Sequence, residues 1–186
     1  ELAGEHNVSS SFQVRRGSVE KELLSAVLES DLLVVGRLGQ SVSRRIRLGS
    51  TARAIVDRAT SAVLLVKSDV GVGPVVALFD GSENGHRVLK LAVELTKSTH
   101  DLRVLVWAAS EETAYENRQL ATYNLDEAAE NTQIQHLSGD NPHIVLEWIN
   151  RQKGSLLLIG GASPILPPDI FQTLLDNAEQ HIHVIR

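Results

Sequence analysis

Apolar residues along the chain fall into two alternating patterns. Short, mainly apolar runs occur at 31–35 (DLLVV), 62–66 (AVLLV), 75–79 (VVALF), 102–108 (LRVLVWA), 155–159 (SLLLI) and 181–185 (HIHVI). Runs of this length predict buried strands, and the first of them reads as a strand covered on both faces. Residues 11–14 (SFQV) and 132–137 (TQIQHL) predict two more. Between the runs, apolar residues recur at helical spacing. Val19, Leu23, Leu24 and Val27 share a face over 18–30, and Ala52, Ile55 and Ala59 share one over 50–59, with Ser50 available as N-cap. Val88, Leu89, Leu91, Ala92 and Leu95 form a broad face over 83–98. Helices are also predicted over 142–153, with Pro142 in the first turn, and over 167–180. The stretch 111–130 is polar and predicts a helix in part.

Buried strands alternating with helices imply parallel strands joined by right-handed crossovers, an α/β doubly wound sheet. Ligands of such sheets bind beyond the carboxyl ends of the strands. The order also repeats: SDLLVVG at 30–36 matches GSLLLIG at 154–160, each after an amphipathic helix and before a loop, a helix and a last strand. The glycine-rich stretch 67–74 (KSDVGVGP) reads as the linker. Two domains are therefore expected, 1–69 as the carboxyl-terminal half of a first and 70–186 as a complete second. On that reading roughly 50–70 residues belong upstream, a domain-size estimate. The last strand of each unit predicts an edge, and exposed apolar edges invite pairing.

The stretch VVGRLGQSVSRRIRLGST (34–51) lies at a strand's carboxyl end and carries the candidate chemistry. Gly36 and Gly39 allow a sharp turn and close backbone approach to a ligand. Gly49 and Ser50 open the next helix, whose free N–H groups and positive dipole end suit a phosphate. Ser50 and Thr51 add hydroxyl donors. The plainer reading gives the glycines a turn and Ser50 a cap. Neither dinucleotide-type nor P-loop spacing is present. Arg37, Arg44 and Arg45 read as a solvated basic segment that could add charge to an anion site.

Composition narrows the choice. A net charge of −5 argues against general nucleic-acid binding, and 42% hydrophobic residues predict a packed core. Without cysteine there is neither a disulfide nor thiolate chemistry, and no apolar run has the length of a membrane span. His181 and His183 share a strand face, yet no third metal ligand is evident. No nucleophile elbow or acid pair supports catalysis, so neither a catalytic nor a metal residue is named.

The spacing Gly36, two residues, Gly39, nine residues, Gly49-Ser50 resembles the ATP-binding motif of the universal stress protein family. LGSTARAIVDRATSAVLLVK (48–67) is similar to that family's helix and last strand. VVALFDGSENGHRVLKLAVELTK (75–97) is similar to its first strand, DGS turn and first helix. The resemblance implies an adenine-nucleotide-hydrolase-like fold in two repeats, paired through their last strands as a pseudo-dimer. It implies ATP, with Mg²⁺ as a possible companion, at Gly36, Gly39, Gly49, Ser50 and the adjacent Thr51. It implies a cytoplasmic stress-response protein that senses nucleotide and signals through an unknown protein partner, not an enzyme, although weak ATPase activity stays open. A homodimer is expected, with no nucleic-acid or membrane partner. In the second unit Asp80, Gly81 and Ser82 match the first-strand turn, making Asp80 a candidate nucleoside contact, or simply a turn residue. That unit departs from the pattern beyond Gly160: Ser163 replaces the second motif glycine, no Gly-Ser pair follows, and Pro164, Pro167 and Pro168 lack N–H donors. No ATP is expected there. Asp80 completing the first unit's site is a further arrangement, which would orphan the second unit's own back half. The alternative function is a regulatory or scaffold module of a larger protein, such as a transporter or sensor kinase, without nucleotide binding.

Overall fold

A computed structural model describes residues 8–37, 48–99, 101–161 and 163–186. The chain forms α1 (Val19–Val27), β1 (Leu32–Gly36), α2 (Ser50–Arg58), β2 (Ala62–Val66) and β3 (Val75–Phe79). Then come α3 (Glu83–Thr96), β4 (Leu102–Ala108), α4 (Glu111–Leu125), a 3-10 segment (Asp126–Asn131) and β5 (Gln133–Ser138). α5 (Pro142–Arg151), β6 (Leu156–Gly160), α6 (Pro168–Asn177) and β7 (His181–Ile185) complete it.

The strands make one seven-stranded sheet in the order β1-β2-β7-β6-β3-β4-β5. Pairing is parallel except between β2 and β7, which meet antiparallel with Val63 opposite Val184 and Leu65 opposite Ile182. The chain is thus α/β and doubly wound, and its two runs of parallel strands point in opposite directions across one seam. Helices α1, α2, α5 and α6 cover one face around Ile55, Val63, Leu65, Ile149, Leu157 and Leu174, all fully buried. Helices α3 and α4 cover the other face around Phe79, Val88, Val104 and Leu158.

Two sequence expectations are corrected. Residues 11–14 form no strand, and Phe12 is 91% exposed. A strand needs a neighbour to take its backbone hydrogen bonds, and none of the described residues supplies one. The 31–35 run is a strand, β1, but it is covered on one face only. Leu33 and Val35 pack on the core, whereas Leu32 and Val34 are exposed, because α3 and α4 lie over the second half's strands.

Candidate functional site

The first-half turn is built from three adjoining pieces. β1 ends at Gly36, which is exposed, and the chain turns inward at Arg37. The Arg37 N–H donates to Val66 O at 2.8 Å, holding the turn to the end of β2. The Gly49 N–H donates to Arg37 O at 3.1 Å, so the start of α2 sits directly beyond the carboxyl end of β1. Gly49 is the N-cap residue and Ser50 the first residue of the helix, so the cap falls one position earlier than expected. The reason is local: the Gly49 carbonyl accepts the first helical bond, from Arg53 N–H at 2.9 Å. Ser50 is therefore free of a capping bond and exposed, with Thr51 half-buried beside it. The leading N–H groups of a helix have no intrahelical acceptor. Gly36, Gly49, Ser50 and Thr51 thus come together; Gly39, Arg44 and Arg45 lie outside the described residues.

Arg37 is not a solvated basic residue. It is 1% exposed and points into the second half of the chain. Its Nε donates to Leu175 O at 2.9 Å, and its Nη1 donates to Ala178 O. These carbonyls end α6, where a helix offers unpaired acceptors and a negative dipole end. Burial pulls the Arg37 guanidinium below its usual range, and the nearby Asp176 carboxylate opposes that shift. Asp176 Oδ1 also accepts from Leu48 N–H at 3.0 Å and from Arg53 Nη2 at 2.6 Å. Arg53 Nη1 donates to Gln172 as well.

The corresponding place in the second half is occupied by its own side chains. Asp80 is 3% exposed at the end of β3. Its Oδ1 accepts from Ser82 N–H at 3.0 Å and from Ser82 Oγ at 2.6 Å, an Asx turn made possible by Gly81 at φ +80°. Its Oδ2 accepts from Ser163 Oγ. Ser163 Oγ in turn accepts from the N–H groups of Ile165 and Leu166, at 3.1 and 3.2 Å. Asn84 Nδ2 donates to Gly161 O at 2.7 Å, closing α3 onto the loop after β6. Helix α6 starts with Pro167 as N-cap and has proline in its first turn, so it presents fewer N–H donors. The idea that Asp80 completes the first half's site fails on geometry. The antiparallel seam puts the carboxyl ends of β1 and β3 on opposite edges of the sheet.

The two histidines of β7 lie at the seam with β2. His181 Nδ1 accepts from Lys67 N–H at 3.1 Å across the seam. His183 has a buried Nε2 without a partner among the described residues, and burial depresses its pKa. Among the described residues no group of three or more His, Cys, Asp or Glu is placed to hold a metal. No helix of the described residues is long and apolar enough to cross a membrane. A cavity of about 790 Å³ lies between α3, α4 and the 3-10 segment, lined by Val93, Lys97, Asn124, Asp126 and Thr132 among others. None of the residues singled out from the sequence borders it.

The glycine turn falls inside the part of the chain that a family model matches. Residues 1–67 match the universal stress protein family. No curated protein matches the chain in sequence. Among solved structures, a universal stress protein from Pseudomonas aeruginosa UCBPP-PA14 superposes at TM-score 0.73. It is 16% identical, over 99% of this chain and 75% of its own. One from Archaeoglobus fulgidus DSM 4304 gives 0.73 at 16% identity, over 90% of this chain and 66% of its own. A universal stress protein solved in complex with cAMP superposes at 0.51 with 14% identity, over 62% of this chain and 98% of its own. At these identities the likeness establishes the universal stress protein fold, which runs through both halves of the sheet. Sequence reasoning missed Arg37 and Asp176. Their partners lie more than a hundred residues away, and nothing local marks Arg37 as buried or Asp176 as its neighbour.

Proposed function

We propose that the chain is a nucleotide sensor of the universal stress protein type, with its one binding turn in the first half. The phosphates sit at Gly36, Gly49, Ser50 and Thr51, with Gly39 contributing from the intervening segment. ATP, carrying Mg²⁺, is the expected ligand. The observation that carries this reading is the Gly49 N–H bond to Arg37 O, at 3.1 Å. It fixes the open amino end of α2 beyond the carboxyl end of a parallel strand, where anions are held by N–H groups and the helix dipole. The cAMP complex of a structural relative supports a nucleotide as the ligand class. The second half takes no phosphate in this way, because Ser163 already uses the N–H groups of Ile165 and Leu166. Catalysis is not part of the proposal: the carboxylate that touches the turn, Asp176, is engaged by Arg53 and the Leu48 N–H. Occupancy acts by favouring one conformation of the turn and its surroundings, which a protein partner reads.

Isothermal titration of MgATP into the full chain tests this, beside a Gly49→Asp, Ser50→Ala variant. Binding of one nucleotide per chain, lost in the variant, is the expected result. Equal binding by both refutes the assignment of the turn. No binding by wild type favours the rival reading, a scaffold or regulatory module of a larger protein. The closed loop around Asp80 and Ser163 is the observation in that rival's favour.

A further inference from the structure

Helix α6 of the second half holds the first-half turn on both of its sides. Just after Gly36, Arg37 donates to Leu175 O and Ala178 O. Just before Gly49, the Leu48 N–H donates to Asp176 Oδ1 at 3.0 Å. One turn into α2, Arg53 reaches the same carboxylate and Gln172. So three of the described points from the end of β1 into α2 are tied to the last two turns of a helix from the other repeat. The repeat does not supply this automatically. Asp57 stands in α2 where Asp176 stands in α6; its carboxylate lies near Arg186, yet its side chain makes no hydrogen bond among the described residues.

A phosphate site made of backbone N–H groups works only if those groups are held in place beforehand. Gly36 and Gly49 are poor at holding themselves, since glycine has the widest conformational freedom. The rigidity has to come from neighbours, and the neighbours that supply it here are Arg37 and Asp176. We propose that these two residues make α6 the positioning element of the nucleotide turn, so that occupancy of the turn and the packing of α6 are thermodynamically coupled. This rests on the nucleotide-sensor reading. The coupling is reciprocal: whatever loosens α6 weakens nucleotide binding, and nucleotide tightens α6. The second half, without a phosphate loop of its own, is then the part that registers the first half's ligand.

The test uses the full chain as wild type, Asp176→Ala and Asp176→Asn. MgATP affinity and amide hydrogen exchange are measured on the same preparations. In wild type, MgATP slows exchange at the amides of 174–178. Asp176→Asn keeps an acceptor for the Leu48 N–H and loses the charge facing Arg53, so affinity falls only a few-fold. Asp176→Ala loses both, so affinity falls about tenfold or more, within the usual range of coupling between sites. It also loses the slowing at 174–178. Asp176→Ala with wild-type affinity and wild-type slowing overturns the proposal. Should Asp176→Ala fail to melt cooperatively, the decision passes to Asp176→Asn, and wild-type behaviour there overturns it. Should wild type take no nucleotide, the sensor reading falls separately. Positioning by α6 then stands only if Asp176→Ala speeds exchange at Leu48 and Gly49 about tenfold while α3 amides hold. Unchanged exchange overturns it.

Discussion

Replacing Arg37 by Met isolates the guanidinium from its stem. The side chain is 1% exposed, so nearly all of it is in contact with protein. Its Nε and Nη1 give hydrogen bonds to Leu175 O and Ala178 O, which the substitution removes. Hydrogen bonds from a charged donor contribute about 1.5–3 kcal/mol each, and two amount to about 3–6 kcal/mol. Against this stands the cost of burying the charge, felt most at Nη2, which has no partner among the described residues. Exchanging a buried ionic group for an apolar one of similar volume recovers about 1–4 kcal/mol. The hydrogen bonds win, because two helix-end carbonyls would otherwise be buried without donors. The net loss is about 2 kcal/mol, some thirtyfold in the unfolding equilibrium. Urea unfolding followed by the fluorescence of Trp107 and Trp148 measures it. The midpoint falls with the slope unchanged. Arg37→Lys lies in between, since an ammonium lacks the planar fork that serves two carbonyls at once. An Arg37→Met protein as stable as wild type, or more so, would show that desolvation cancels the cap. It would also remove the energetic basis for tying α6 to the turn.

Three further outcomes are expected. Ser163→Ala strips Asp80 of a donor and leaves the Ile165 and Leu166 N–H groups without an acceptor, lowering stability by about 1–3 kcal/mol in the same urea assay. Gly81→Ala forces a side chain onto φ +80° with its Cβ 2.9 Å from the Asn117 amide, which costs on the order of 1–3 kcal/mol, read as a drop in melting temperature. His183 has a native pKa depressed by burial, so its unfolded form binds the proton more readily. Its contribution is therefore fully present above an unfolded pKa of about 6.5 and is lost as pH falls through that value toward the native one. Urea midpoints between pH 8 and 5 should fall in wild type and fall less in His183→Leu; equal slopes would count against a half-buried imidazole that resists protonation.

The element order was legible in the sequence because buried parallel strands leave mainly apolar runs, and the six runs of that kind correspond to strands here. The same logic failed at 11–14, where Phe12 and Val14 look like strand residues but have no neighbour to pair with. Periodicity was weak over α4 because only Ala114, Ala121 and Leu125 of its residues are buried, so only part of it was predicted. The turn itself was readable from glycine spacing. What lay beyond reach was the direction of Arg37. A run of arginines near glycines suggests a solvated basic loop, and only the tertiary path shows that one of them enters the core.

The seam explains why that arginine is needed. Antiparallel pairing of β2 with β7 makes each half's last helix finish at the strand ends of the other half. Helices α2 and α6 finish alike, as Ile55-Val56-Asp57-Arg58-Ala59 and Leu174-Leu175-Asp176-Asn177-Ala178. Their C-cap alanines are both extended, with ψ 139° and 144°. Each helix leaves carbonyls open, and each receives a guanidinium from across the seam. Arg37 serves Leu175 O in α6, and Arg186 serves Val56 O in α2, the same position in each helix. The two arginines are not repeat counterparts. The residue that corresponds to Arg37 is Gly161, where an added Cβ would lie 3.0 Å from Arg186 Nη1, so the absence of a side chain there leaves space for Arg186. One geometric need, a donor at a helix end buried in a seam, is thus met from two different strands. It follows that the second half can lack a phosphate-type loop and still be required by the first. Its contribution is the carbonyl end of α6, which only a folded second half presents.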